Sequence, residues 1–273
     1  MLVRDTPEGM EVLMLRRNLA SSWVGGAHLF PGGAVDKEDG SPGVLDRSPG
    51  RGGTEASRIL GLAGAPAAGG LAFFVAAIRE CFEEAGILLA SGPENAPIDF
   101  ADHGVAARFV EHRRRLNARE LSFAELCESE NLQLGTGRLW YFSHWITPEG
   151  SPRRYDTRFF VAAMPAGQTA LHDDIEVIDS IWIRPGDALR RHAAGEIDML
   201  FPTMKNLQAI GRFERSTDLL DASAVAEVPT ILPKITVADQ GVRILLPGDE
   251  GYDSATGLGE DVVFPDRSHP EPK

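Results

Sequence analysis

The sequence has few cysteines, no long apolar runs and no excess of basic residues. The two cysteines, Cys81 and Cys127, set up no disulfide framework, which fits a reducing, cytoplasmic location. No apolar run reaches the length of a membrane span, and the first residues lack the apolar segment of a signal peptide. The formal net charge of −13 argues against binding to a nucleic-acid backbone. We therefore expect a cytoplasmic protein with no nucleic-acid partner and no membrane partner.

Strand-like and helical segments alternate along the chain, which has 273 residues and enough length for a sizeable core. Residues 1–17 predict a hairpin whose first strand is so short that we expect either a natural start upstream or an unusually short strand. Residues 138–146, 157–164 and 176–183 predict further strands. Residues 228–247 predict a terminal hairpin, followed by a loosely ordered tail. We divide the chain into a domain at 1–213 and a C-terminal extension at 214–273.

Residues 40–70 differ in composition from their surroundings, because glycine, proline and alanine dominate there. This composition is typical of a surface insertion. Within it, the segment TEASRILGLA predicts one helix, with Thr54 as its N-cap. The sequence does not say whether the insertion covers a site or only lies on the surface.

The stretch from Leu71 to Leu88 predicts one helix with a dense acidic edge. Glu80, Glu83 and Glu84 are three or four positions apart, so their carboxylates share one face. Like charges at this spacing repel each other by a few tenths of a kcal/mol per pair, and a helix that keeps three of them together is expected to bind a cation there. The opposite face is apolar, and Gly86 can form the left-handed cap at the end of the helix. The carboxylates are thus expected at the end of a rigid element.

A tight turn is predicted upstream, at Pro31-Gly32-Gly33. Proline fixes its own backbone, and two glycines permit a turn that exposes its carbonyl groups. Taken with the helix, these residues resemble the Nudix box, G-x5-E-x7-R-E-U-x-E-E-x-G-U, where U is aliphatic. The matching positions are Gly33, Asp39, Arg79, Glu80, Glu83, Glu84 and Gly86. Cys81 stands at an aliphatic position, where a buried free cysteine behaves as a small hydrophobe.

The first half of the box departs from the pattern. Asp39 replaces the glutamate, and 40 positions separate it from Arg79, where the pattern has 8, so about 32 residues are inserted. The chain is similar in this to the peroxisomal coenzyme A diphosphatases of the Nudix family, whose box is split by an insertion. Asp39 is open to two interpretations, as a turn aspartate or as part of the metal surroundings.

The resemblance implies a fold, a reaction and a set of site residues. The fold would be an α/β/α sandwich with a mixed β-sheet, and the reaction the metal-dependent hydrolysis of a diphosphate linked to a second group. It implies Mg²⁺ or Mn²⁺, which prefer oxygen ligands, and a small-molecule substrate, most readily coenzyme A or an acyl-CoA. Its catalytic residues would be Glu80, Glu83 and Arg79, with Arg79 orienting Glu83. Its metal ligands would be Glu80, Glu84, Glu83 and the carbonyl of Gly32.

Several assignments stay open at this stage. The general base could be Glu80 or a carboxylate from a later loop, which contains Asp173, Asp174 and Glu176. Arg154, Arg158 and Glu176 are candidates for substrate binding, although ion pairs at strand ends are a common role for such arginines. Other substrates are ADP-ribose, dinucleotides and nucleotide sugars. A catalytically silent nucleotide-binding module is a different class of function, and a homodimer is compatible with the sequence.

Overall fold

The computed structural model describes residues 1–18, 25–62, 69–151, 153–169, 177–238 and 241–255. The strands are β1 (Leu2–Thr6), β2 (Gly9–Arg17), β3 (His28–Leu29), β4 (Ala90–Ser91), β5 (Gln133–Leu134), β6 (Trp140–Ile146), β7 (Asp156–Ala163), β8 (Val177–Ile183), β9 (Thr230–Ile231), β10 (Lys234–Ala238) and β11 (Gly241–Leu245). The α-helices are α1 (Pro42–Leu45), α2 (Gly53–Ile59), α3 (Gly69–Ala85), α4 (His103–Asn117), α5 (Phe123–Ser129), α6 (Pro185–Ala193), α7 (Phe201–Ile210) and α8 (Ser216–Val225). Short 3-10 helices span Lys37–Gly40, Pro93–Asn95 and Thr136–Arg138.

The chain forms two compact units. The first contains Met1–Tyr141 and Phe160–Val225, and the second contains Phe142–Phe159 and Ala226–Lys273. The predicted division after residue 213 stays a prediction. No helix in the described ranges is long and apolar enough to cross a membrane.

The first unit is built on a mixed sheet with β2 at its centre. Consecutive residues of β2 from Val12 to Leu15 are all fully buried, as expected for a strand covered on both faces. β2 pairs antiparallel with β1, β3 and β8, whereas β1 pairs parallel with β7 through Leu2 and Ala162. The predicted hairpin at residues 1–17 is confirmed as β1 and β2. The mixed sheet is also confirmed.

Helices cover both faces of this sheet. On one face, the Phe74 ring of α3 lies 4.7 Å from the Phe160 ring of β7. The other face carries Val12 and its partner on β8, Ile183. Ile183 and residues of α6 line a common cavity, so α6 lies on that face. The α/β/α arrangement follows, with α3 as the layer that carries the acidic residues.

The insertion folds against the first part of α3. Helix α2 packs on α3, and α1 packs on both α3 and α5. Arg51, between α1 and α2, donates to the carbonyls of Thr136 (3.3 Å) and Leu139 (3.2 Å) and lies over the Phe74 ring. Thr54 was predicted as the N-cap of the helix, which is wrong. Gly52 has the extended backbone of an N-cap, and Thr54 is already inside the helix.

The described part of the second unit includes the paired strands β6 and β9 and the paired strands β10 and β11. β6 pairs parallel with β9, with His144 opposite Thr230. β10 and β11 pair antiparallel, with Lys234 opposite Leu245. These two strands occupy the segment in which the sequence predicts a terminal hairpin.

Candidate metal and diphosphate site

Helix α3 presents the three glutamates from its last turns. Its apolar face is fixed in the core by Phe74, Ile78 and Phe82, each of which is at most 1% exposed. The helix ends at Ala85, and Gly86 follows with a φ of +69°, so the predicted left-handed cap is confirmed. Anchoring of the apolar face leaves Glu80, Glu83 and Glu84 half-buried on the other side of the helix.

The glycine turn lies against the end of this helix. The amide of Gly32 donates to the Glu84 carboxylate at 2.8 Å. A Cβ atom at Gly33 would lie only 2.6 Å from the carboxylate atoms of Glu80. Gly32 has a φ of +149°, which disfavours any residue with a side chain. The structure therefore brings together the two halves of the motif, and each glycine has its own reason to be there.

Arg79 joins the glutamates to the turn. Its guanidinium is 7% exposed and pairs with Asp39 at 2.8 Å and 3.0 Å. It also donates to Glu80 and Glu83, both at 2.9 Å. A fifth contact goes to the carbonyl of Ala34 at 2.8 Å. The guanidinium fork thus holds the turn, the following 3-10 helix and two glutamates in one network.

Asp39 is the buried partner of Arg79 in this network. Its side chain is 1% exposed, and both oxygens are hydrogen-bonded to Arg79. One of them also accepts from the amide of Asp36 at 2.7 Å. Asp39 is therefore a turn residue that serves as the buried counter-ion of Arg79. The ion pair between Arg79 and Glu83 that the resemblance implied is present as well.

Burial and crowding of charge shift the pKa values of these groups. Burial raises the pKa of Glu80 to about 7. The positive charge of Arg79 lowers this pKa, and the negative charges of Glu83 and Asp39 raise it. Burial also raises the pKa of Glu83, again opposed by Arg79. For Arg79, burial opposes the charge, but Asp39, Glu80 and Glu83 outweigh it and raise the pKa. The described carboxylates of the site therefore outnumber the positive charge of Arg79.

Comparison with known proteins identifies the family. A model of the NUDT19 Nudix domain matches residues 4–210. The chain belongs to the Nudix hydrolase family. It is 32% identical over 280 residues to acyl-coenzyme A diphosphatase NUDT19 of Gallus gallus, covering 90% of this chain and 74% of that protein. The Homo sapiens protein of the same name is 27% identical over 275 residues, with coverages of 90% and 73%.

A solved Nudix structure supports the same fold. The NUDIX hydrolase from Alicyclobacillus acidocaldarius superposes with a TM-score of 0.63 at 25% sequence identity. The superposition covers 82% of this chain and 94% of that one. The fold expected from the resemblance is therefore confirmed.

Nudix hydrolases generally use divalent metals, and the residues of this Nudix site fit such an ion. Hard cations take oxygen ligands, and a bound cation would favour the ionised forms of the buried carboxyls. In the described ranges, however, no three acidic, histidine or cysteine side chains are already arranged to hold a metal. Glu80 and Glu83 point towards Arg79, and Glu84 towards the Gly32 amide. Each of these contacts uses one carboxylate oxygen, and a carboxylate has two oxygens that can act as ligands.

The predicted substrate-binding residues Arg154 and Arg158 contact residues of the second unit. Arg154 is exposed and donates to the carbonyl of Thr147 at 3.2 Å. The guanidinium of Arg158 pairs with Asp156 at 2.8 Å. Both belong to the second unit of this Nudix chain. Glu176, like Asp173 and Asp174, lies outside the described residues, so the assignments of all these side chains stay predictions.

One charged side chain at the end of the Nudix helix was not singled out as a site residue by the sequence. Arg113 of α4 is 9% exposed and donates to the carbonyls of Glu83 and Glu84, both at 2.9 Å. The only signal was the basic run Arg113-Arg114-Arg115, in which Arg114 instead pairs with glutamates at the surface. Only the register of α4 against α3 distinguishes these neighbours, and that register follows from tertiary packing.

Proposed function

We propose that this chain is a metal-dependent diphosphatase that hydrolyses coenzyme A or an acyl-CoA. The observation that carries the proposal is the assembly of Glu80, Glu83 and Glu84 beside the glycine turn across a long insertion. The relatives named acyl-coenzyme A diphosphatase, matched over 90% of this chain, support the choice of substrate. The two buried free cysteines support a reducing, cytoplasmic location.

The metal in this proposal is Mg²⁺ or Mn²⁺. Glu80, Glu84 and Glu83 would hold it, with the carbonyl of Gly32 as a further oxygen ligand. When bound, such an ion neutralises charge on the diphosphate oxygens and lowers the pKa of the attacking water. The oxygen of water forms a bond to phosphorus, the bridging P–O bond breaks, and two phosphomonoesters leave. From coenzyme A these are an adenosine bisphosphate and a phosphopantetheine.

The protein residues do the positioning in this reaction. Arg79 holds Glu80 and Glu83 in place, because its fork is itself fixed by Asp39. Glu80 is our candidate for the base that takes the proton from water. The Gly32 amide donates a hydrogen bond to the Glu84 carboxylate and so holds it beside the glycine turn. These contacts keep the carboxylates close to their working positions before substrate arrives.

The test is a product screen with purified chain. Coenzyme A, acetyl-CoA and longer acyl-CoAs are compared with ADP-ribose, NADH and a nucleotide sugar, each with Mg²⁺ and with Mn²⁺. We expect two phosphomonoesters from the CoA compounds, identified by mass, and the highest kcat/KM among the set. The control is Glu111→Gln, which removes an exposed glutamate of α4 and should leave turnover unchanged.

Two results would redirect the proposal. Faster hydrolysis of ADP-ribose, a dinucleotide or a nucleotide sugar would move the chain to that substrate class. No turnover of any compound, together with tight binding of one, would indicate a nucleotide-binding module.

A further inference from the structure

The last carbonyl groups of helix α3 are held by a neighbouring helix. The final carbonyls of any α-helix have no partner within the helix and must find one elsewhere. Here the carbonyl of Phe82 accepts a hydrogen bond from the amide of Gly86 at 3.0 Å. The carbonyls of Glu83 and Glu84 accept from the guanidinium of Arg113, each at 2.9 Å. The same two residues carry carboxylates of the proposed metal site on their side chains.

The contact has a specific geometry. Arg113 bonds through Nε to one carbonyl and through a terminal nitrogen to the next, which uses the planar fork that distinguishes arginine from lysine. Asn117, one turn further along α4, adds a bond from its amide to the Glu83 carbonyl at 3.3 Å. A positive charge at this end also complements the negative end of the helix dipole. The interaction therefore fixes both the position and the rotation of the last turn.

We propose that Arg113, assisted by Asn117, is a positioning residue that sets the metal affinity of this site. Its effect on the metal would pass through the backbone of Glu83 and Glu84, to which it is hydrogen-bonded. Outer contacts that orient ligands typically change metal affinity 10- to 100-fold when they are removed. The proposal rests on the proposed function only in taking these glutamates as ligands, and it assigns a role to α4, a helix outside the Nudix motif.

The experiment compares Mn²⁺ binding by the substrate-free full chain and its variants, measured as free Mn²⁺ by electron paramagnetic resonance. Arg113→Met keeps the side-chain length but removes every donor, and we expect Mn²⁺ affinity to fall at least about 10-fold. Arg113→Lys keeps the charge but offers one compact donor group, so an intermediate loss is expected. The matched control is Arg114→Met, at an exposed neighbouring position, which should bind Mn²⁺ as the wild type does.

A purely structural role would give a different pattern. In that case the melting temperature of Arg113→Met would fall, but the folded protein would bind Mn²⁺ as the wild type does, and this result would overturn the proposal. If Arg113→Met does not fold, Mn²⁺ binding is measured on Asn117→Ala instead. This variant removes one of the three hydrogen bonds to the Glu83 and Glu84 carbonyls, and we expect its Mn²⁺ affinity to fall about threefold. An unchanged affinity there would also contradict us.

Activity separates this proposal from the proposed function. At saturating Mn²⁺, we expect Arg113→Met to regain most of the wild-type kcat with a KM for CoA within about twofold of the wild-type value, since its defect lies in metal binding. If the wild type hydrolyses no diphosphate, the proposed function fails, while the ratio of Mn²⁺ affinities still decides on Arg113. A wild type that binds no Mn²⁺ overturns the role of Arg113 itself.

Discussion

The two ends of helix α3 are held in opposite ways. At its start, the backbone of Gly70 lies so close to α2 that a Cβ atom would be 2.3 Å from the amide nitrogen of Ser57. The Ser57 hydroxyl accepts from the Gly70 amide at 3.1 Å. At its end, buried guanidinium groups of Arg79 and Arg113 make the contacts. The start depends on close backbone packing and a neutral hydrogen bond, whereas the end depends on charged side chains.

This difference separates stability from activity along one helix. Small residues at the start fix the insertion to the fold and do not contact the glutamates. The charged contacts at the end fix both the fold and the carboxylates, so changes there should alter both properties. Variants at each end can therefore test whether the division holds.

The largest effect is expected from Asp39→Ala. It removes the buried counter-ion of Arg79, and breaking such a pair costs about 3 kcal/mol in the free energy of unfolding. We take the lower end of the usual range, because Glu80 and Glu83 remain as partners. Urea unfolding measures the loss. Glu111→Ala, which breaks an exposed pair, should leave the midpoint almost unchanged, and equal midpoints for both variants would refute the role of Asp39.

Next in size is the effect of Glu84→Gln on catalysis. The amide can still accept from Gly32, so the turn should keep its place, but the negative charge is lost. We expect kcat to fall at least about 100-fold, the scale of one major electrostatic contribution. Steady-state kinetics with CoA checks this, with unfolding in urea as the control for structure. Near-normal activity would remove Glu84 from the ligands.

A stability change without an activity change is expected from Gly70→Ala. The added methyl group would collide with the backbone of α2, and such overpacking costs about 2 kcal/mol. The activity of the folded protein should be unchanged, because the carboxylates lie at the other end. Gly43→Ala is the matched control in the insertion, where the new Cβ would meet only Ala124 at 4.0 Å. If both variants unfold alike, close packing at the start is not what holds the helix.

The smallest effect is expected from Gly33→Ala. This variant should lower activity and leave stability unchanged, whereas Gly70→Ala should lower stability and leave activity unchanged. The new methyl group would meet the carboxylate end of the Glu80 side chain and no backbone atom, so it would displace the carboxylate without moving the backbone. We expect kcat to fall about 10-fold as the carboxylate is displaced, with an unchanged urea midpoint. A stable variant with full activity would show that the position of the Glu80 carboxylate is not limiting.

Local signals in the sequence predicted much of the fold and part of the site. The end of α3 at Gly86 is confirmed because glycine readily adopts the left-handed conformation that ends many helices. The capping box of α5, Ser122 with Glu125, is a local feature of the same kind. Thr54 failed as a cap because glycines upstream allowed α2 to begin earlier. Each of these signals is contained within a few residues.

The contacts that complete the site could not be predicted in this way. Asp39 lies 40 positions from Arg79, and Arg113 lies 30 positions from Glu83. Which arginine of the run 113–115 faces α3 depends on how two helices pack. The resemblance placed Arg79 and the glutamates because it carries long-range information about the fold. It could not place Arg113, which lies outside the motif.

The split of the motif also has a consequence for the entropy of the chain. Closing a loop of 40 residues instead of 8 costs about 1.4 kcal/mol more, since the cost grows only with the logarithm of loop length. The contacts of Arg51 and of α2 order part of the inserted chain independently of the site. This added closure cost is smaller than the loss of about 3 kcal/mol expected when the buried pair of Arg79 and Asp39 is broken. A long insertion between the two halves of the motif therefore adds little to the cost of assembling the site.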